Sequence, residues 1–535
     1  MNKMIQKKIL PVIIILLSAI FQTSAQVIGL LKIEGPNELI NLPVVSEQDA
    51  MNAGHGVVKI ALGDGLTGAA SLVPLTDPDA SAVRIRTPYG TRAWKKLDFN
   101  LFSRAYGGSY QEVGNRVALS DDGSIAIAGY TATFGAGALD MMFLKLSETG
   151  AIEWGNAYGY SSNDYLYGMC PTSDGGYILS GRTYSGGGGS GDEDRKKIDG
   201  NGNLVWEYWA GTSGYEGSVD VFVNPDGTIV LCNYTNGFGA GDYDAWIRKV
   251  DASGGTIWGY SYGGADYDYG SAIVRNNLGG YAVAGATESS GAGGYDLFFF
   301  TLDGSGSNVL TKVFGGTGND VGRDLILDSD GNYVIAGYTT SFGNGGKDFY
   351  IKKLDVSGNS IWGWAFGGAD DDDAYAIIQT ADGGYAVAGT TESLGGGFKD
   401  IWLVKYGNDG LSSWDVSFGG SSNDMGSDLK QGPDGSFYVV GTSYSASAGS
   451  SDFIIVKISI DGNTCLVMEK DGSFGGPDGQ FQVHRNIGLQ LIGTESDPAV
   501  TDFKITRSPE KNIKSGSITP DYVTPVTPTV TTICD

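Results

Sequence analysis

Short apolar runs bounded by glycine-rich turns fill the middle of the chain, and they recur at a constant pitch. Residues 311–362 show the pattern clearly. Strand-like stretches stand at 323–327, 333–338, 349–354 and 360–366, rich in β-branched and aromatic residues that suit a pleated sheet. Asp330-Gly331 separates the first two. An Asp-Gly pair predicts a two-residue hairpin, because both turn positions need positive φ. Equivalent pairs occur at Asp122-Gly123, Asp174-Gly175, Asp226-Gly227, Asp382-Gly383 and Asp434-Gly435, with Leu278-Gly279 the departure. Stepping 52 residues from Phe102 reaches Trp154, Trp206, Trp258, Leu310, Trp362, Trp414 and Leu466 without an insertion or deletion.

Repeats of this length, with several short strands each, predict β-propeller blades. A lone four-stranded unit cannot bury both faces, so the units stack radially. The expected fold is all-β: a seven-bladed propeller of four-stranded antiparallel blades over residues 99–466. A β-rich N-terminal extension (26–98) and a C-terminal one (467–535) flank it. Ala105-Tyr106-Gly107-Gly108 parallels Val313-Phe314-Gly315-Gly316, so residues 99–106 should supply the outermost strand of the last blade. That closure removes exposed sheet edges.

Asp320-x-Gly322, Asp330-Gly331-Asn332-Tyr333-Val334, Gly337-Tyr338-Thr339, Asp348 and Lys353-Leu354-Asp355 together resemble the β-propeller repeat of secreted bacterial proteins. The resemblance implies a propeller and carries no catalytic residues.

The ends differ in character. Lys3, Lys7 and Lys8 precede an apolar run at 9–21 and the small-residue site Thr23-Ser24-Ala25, which reads as a secretory signal over 1–25. Stretches 56–62 and 82–87 alternate like strands. At the other end 480–485, 489–494 and 501–507 suggest a small β element, and 520–532 a Thr/Pro tether. The net charge of −26 disfavours nucleic acid and anionic membrane as partners. In an exported chain, Cys465 and Cys534 are placed to bridge the C-terminal segment to the last blade, whereas Cys170 and Cys232 read as buried small apolar residues.

Two sets of acids recur in every unit. Glu112, Asp164, Glu216, Asp268, Asp320, Asp372 and Asp424 follow the glycine turn, which predicts a ring at one end of the channel. Such a ring suits Ca²⁺ or another hard cation. The preferred reading is structural, each carboxylate fixing its own turn, because binding sites use only some blades. Asp140, Asp192, Asp244, Asp296, Asp348, Asp400 and Asp452 read as loop-fixing groups before the third strands. Asp370–Asp373 invites a counter-ion or forms a solvated turn. The run from Asp199 to Asn203 lacks the later EF-hand ligands and reads as a hairpin.

Glu193-Asp194-Arg195 interrupts an apolar third strand, predicting a displaced strand, or a blade that faces a partner or a terminal segment. The only histidines, His55 and His484, lie outside the repeats, so no His-based triad or metal site fits within them. The expected role is a non-enzymatic surface module presenting loops to a glycan or protein. The alternative is a carbohydrate-active hydrolase or lyase with an acidic site at the channel mouth, built on residues such as Asp372.

Overall fold

The computed structural model describes residues 101–187, 189–447 and 449–459 in full, and the backbone of further strands between 30–95 and 473–534. Two units separate, Met1–Asp98 and Phe99–Asp535. The leader expected at 1–25 and Cys465 of the expected bridge fall outside the described residues. The N-terminal unit carries a hairpin, Leu30–Gly35 with Glu38–Pro43, and a four-stranded sheet that includes Val57–Leu62 and Ala82–Thr87.

Seven blades follow, all antiparallel. Blade 5 is representative: Asp320–Leu327, Tyr333–Thr339, Asp348–Leu354 and Ser360–Phe366, paired in that order. Blades 1 to 6 begin at Glu112, Asp164, Glu216, Asp268, Asp320 and Asp372. Blade 7 begins at Asp424 and takes its fourth strand from Ser103–Gly107, with Phe453 opposite Tyr106 and Val456 opposite Ser103. The ring is closed by the strand that precedes blade 1. Second and third strands are buried on both faces, and their side chains pack between blades, as Phe349 of blade 5 does against Trp402 of blade 6 at 4.5 Å between ring centroids.

The Asp-Gly turns differ from expectation. The Gly123 N–H donates to the Ser120 carbonyl and the Ser120 N–H to the Ser124 carbonyl, so the connection has three residues, not two. In such a loop the left-handed conformation falls on its last residue, and Gly123 and Gly279 have φ of 82° and 83°. Leu278 can therefore replace Asp, because the demand falls on the glycine.

The Glu193-Asp194-Arg195 strand is neither displaced nor irregular through the break. It pairs in register with both neighbours, Asp194 opposite Gly181 and Trp209. Its charges are buried and paired: Glu193 binds Arg195 at 2.6 Å and also Arg248 of blade 3, while Lys196 bridges Asp194 and Glu207. Burial alone would raise the Glu193 carboxyl, but the two guanidinium groups hold it below its ordinary value. The Glu193–Arg195–Arg248 group thus sits beside an apolar cluster of Ile178, Val221, Ile229, Leu231 and Val250 between blades 2 and 3.

The described C-terminal strands pair with the outer edges of the blades. Gly479–Asn486 pairs with the outer strand of blade 6, Gly493–Thr494 with blade 5, Thr506–Pro509 with blade 3, Lys514–Gly516 with blade 2 and Val523–Pro525 with blade 1. Thr529–Cys534 lies outside Ser103–Gly107. The outer edge of a four-stranded blade presents a row of unpaired N–H and C=O groups, and an extended chain satisfies them.

Two predictions follow from this packing. Deleting residues 99–107 should strip blade 7 of its fourth strand, and the variant should aggregate or melt far below the parent. Glu193→Ala should cost about 3–5 kcal/mol in chemical denaturation by stranding two buried cations, and replacing Glu193, Arg195 and Arg248 together with apolar residues should recover most of that loss.

Candidate functional site

The first strand of every blade carries a bulge at the same register. Pairing with the second strand skips residues 115, 167, 219, 271, 323, 375 and 427 in turn. A bulge re-aims the side chain it leaves unpaired. All seven skipped residues, Asn115, Tyr167, Val219, Ser271, Arg323, Tyr375 and Ser427, line one cavity of about 520 Å³ where the inner strands converge.

Tyrosines dominate the rest of its wall. Tyr234, Tyr243, Tyr267, Tyr269 and Tyr295 come from blades 3 and 4. Tyr243 and Tyr267 stack at 5.4 Å, and Tyr269 meets Tyr295 edge-on at 5.7 Å. Arginines lie over several tyrosine rings around the cavity. Arg182 lies 5.1 Å from the Tyr165 centroid and donates to the Tyr234 hydroxyl at 2.9 Å, and Arg323 lies 5.3 Å from both Tyr338 and Tyr375. Arg116 reaches from blade 1 to the Val219 carbonyl of blade 3 at 3.0 Å, spanning the floor. One residue beyond each bulge, Asp220, Asp324 and Asp428 accept the backbone N–H of Ile273, Ile377 and Val117 in the next blade. Burial pushes Asp324 up to about 6.

The seven carboxylates singled out by the repeat sit elsewhere. Glu112, Asp164, Glu216, Asp268, Asp320, Asp372 and Asp424 open the inner strands, and each is 0% exposed. Each accepts from its own turn: Asp372, for instance, takes the Gly368 N–H at 2.8 Å and the Ser393 hydroxyl at 2.9 Å. Asp320 takes the Gly316 N–H at 2.8 Å and the Thr339 hydroxyl. None lines the cavity. Among the described residues no three His, Cys, Asp or Glu side chains gather as a cage for a metal ion.

The second acidic set meets the first. A Cβ added to Gly367 would lie 2.2 Å from Asp348 Oδ1 and 2.6 Å from Asp372 Oδ2, which places the two carboxylates within about 5 Å of each other. The same glycine-gated pairing joins Asp140 to Asp164, Asp192 to Glu216, Asp244 to Asp268, Asp296 to Asp320, Asp400 to Asp424 and Asp452 to Glu112. Asp348 also accepts the Asn344 N–H at 2.9 Å, so the loop-fixing role holds as well. Burial, reinforced by the neighbouring carboxylate, pushes Asp140 and Asp296 up to about 6 and Asp348 and Asp400 up to about 7.

Other sequence features resolve simply. Within Asp370–Asp373, Asp370 and Asp371 are exposed, whereas Asp373 is buried and does find counter-ions, Arg323 at 3.2 Å and Lys347 at 3.4 Å. Cys232 is buried, Cys170 half-buried, and both are free thiols. Asp199 accepts the Asn201 and Asn203 N–H groups, confirming a hairpin turn. The tyrosine cavity was not anticipated. Its signal lay in register: position 323 and its equivalents change from blade to blade while the flanking scaffold positions repeat.

A group whose folded pKa is raised binds protons that the unfolded chain has released, so stability falls as pH climbs from about 4 through 7 and then levels. The melting temperature should therefore drop between pH 5 and pH 8, and Asp348→Asn, which mimics the protonated acid, should reduce that drop.

No family model matches the chain. A stretch of 287 residues is 25% identical to the regulatory protein FlaEY of Caulobacter vibrioides, covering 47% of this chain and 28% of FlaEY's length. Among solved structures, the polysaccharide lyase Uly1 aligns with 66% of this chain and 92% of its own at 11% identity and a TM-score of 0.41. Sqt1 from Chaetomium thermophilum aligns with 74% of this chain and 88% of its own at 12% identity and a TM-score of 0.40.

Proposed function

We propose that the chain is a non-enzymatic binding module, exported through its leader, that holds a carbohydrate chain in the tyrosine-lined mouth of the propeller. The observation that carries this reading is the cavity itself, walled by seven tyrosines, of which Tyr167 and Tyr375 stand at the bulged positions that differ from blade to blade. Tyrosine rings offer flat apolar faces for the C–H faces of sugars and hydroxyls for their polar edges.

A binding role is favoured over turnover by the state of those groups. Burial pushes the Tyr375 hydroxyl up to about 12 and raises Tyr167 and Tyr269 further, so all three keep their protons at neutral pH and make poor general bases. Asp372, the acid on which an enzymatic reading rested, is buried in its turn and does not line the mouth. In this reading the seven strand-opening carboxylates are scaffold and not Ca²⁺ ligands. Among the described residues no helix is long and apolar enough to cross a membrane.

Affinity electrophoresis of the full chain against a panel of neutral and acidic polysaccharides tests the proposal. At least one should retard it, Tyr167→Ala and Tyr267→Ala should each weaken that binding about tenfold, and no reducing ends should be released. A panel with no ligand, or binding indifferent to both substitutions, overturns it. Release of oligosaccharides would establish the hydrolase or lyase instead.

A further inference from the structure

The charges that face the cavity are at odds with the chain that carries it. The protein has 61 acidic residues against 35 lysines and arginines. Yet the charged residues lining the mouth are two arginines, Arg116 and Arg323, and no carboxylate lines it. Rim acids such as Glu288 and Asp371 stand beside Tyr295 and Tyr338, outside the lining.

Neither arginine is fully neutralised. Arg116 donates to two backbone carbonyls, Asn115 at 3.3 Å and Val219 at 3.0 Å, and its nearest carboxylate contact, Asp220, is 4.0 Å away. Arg323 shares Asp373 with Lys347, so two cations face one carboxylate there. The Arg323 Nε is buried without a hydrogen-bond partner. A guanidinium held by neutral carbonyls keeps its charge for a ligand, and its planar fork matches a carboxylate or sulfate.

We infer that the ligand is an anionic polysaccharide, with a carboxylate- or sulfate-bearing sugar seated between Arg116 and Arg323 and its ring against the tyrosines. The inference rests on the carbohydrate reading above and narrows it.

The test uses two matched pairs of polymers with the full chain in affinity electrophoresis: alginate against carboxyl-reduced alginate, and dextran sulfate against dextran. One charged polymer should bind at least about tenfold tighter than its neutral partner and weaken with added salt. Which pair shows the difference identifies the anionic group. Arg116→Gln and Arg323→Gln should each remove most of that preference, and Arg323→Lys should restore part of it, with melting curves showing that each variant is folded. Equal binding of charged and neutral partners overturns the inference while leaving the carbohydrate reading intact. A charge preference that survives both Arg→Gln substitutions also overturns it, since the anion then binds elsewhere. If none of the four polymers binds, the inference falls, and the wider panel decides the fate of the carbohydrate reading separately.

Discussion

The structure depends on a buried carboxylate at the first residue of each inner strand. Taken into an apolar junction alone, such a group would be costly. Here it accepts an N–H from the glycine turn before it and, in Asp320 and its equivalents, a hydroxyl from the second strand. Those bonds set where the strand starts. They also leave room for only a glycine at the junction, because Gly315 faces both Asp296 and Asp320. Seven junctions built alike give seven blades of one pitch, and a ring closes only when its units agree.

The position of the bulge follows from that start. Three residues after each carboxylate the ladder skips one residue, and its side chain leaves the sheet for the axis. The scaffold thus holds seven side chains at equivalent places without specifying what they are. Tyr167, Arg323 and Tyr375 occupy those places beside Ser271 and Val219, so the cavity wall is uneven around a regular frame. The variable positions of the repeat shape the cavity, while its constant positions carry the fold.

Two further features show how the frame tolerates exceptions. Between blades 2 and 3 the apolar filling admits Glu193, Arg195 and Arg248, which is stable because each charge meets a partner inside the same junction. At the outer edges, the C-terminal strands add to blades whose fourth strands offer unsatisfied backbone groups. In both places a local cost in the sequence is met by a contact distant along the chain.

The division between what was legible in the sequence and what was not follows the range of the interactions. The 52-residue pitch, the four strands per blade and the completion of blade 7 by residues near Tyr106 were all readable, because periodic apolar runs and glycine turns are local signals. The carboxylates were visible as a set, and their placement in their own turns followed from neighbours a few residues away. The three-residue turn at Gly123 was misread, since an Asp-Gly pair does not reveal which carbonyl its N–H will meet. The pairing of Arg248 with Glu193, the meeting of Asp348 with Asp372 and the gathering of Tyr167, Tyr267 and Tyr375 around Arg116 and Arg323 were decided by tertiary structure alone. Those contacts join different blades, and only the packing of blade on blade around the axis brings them within reach.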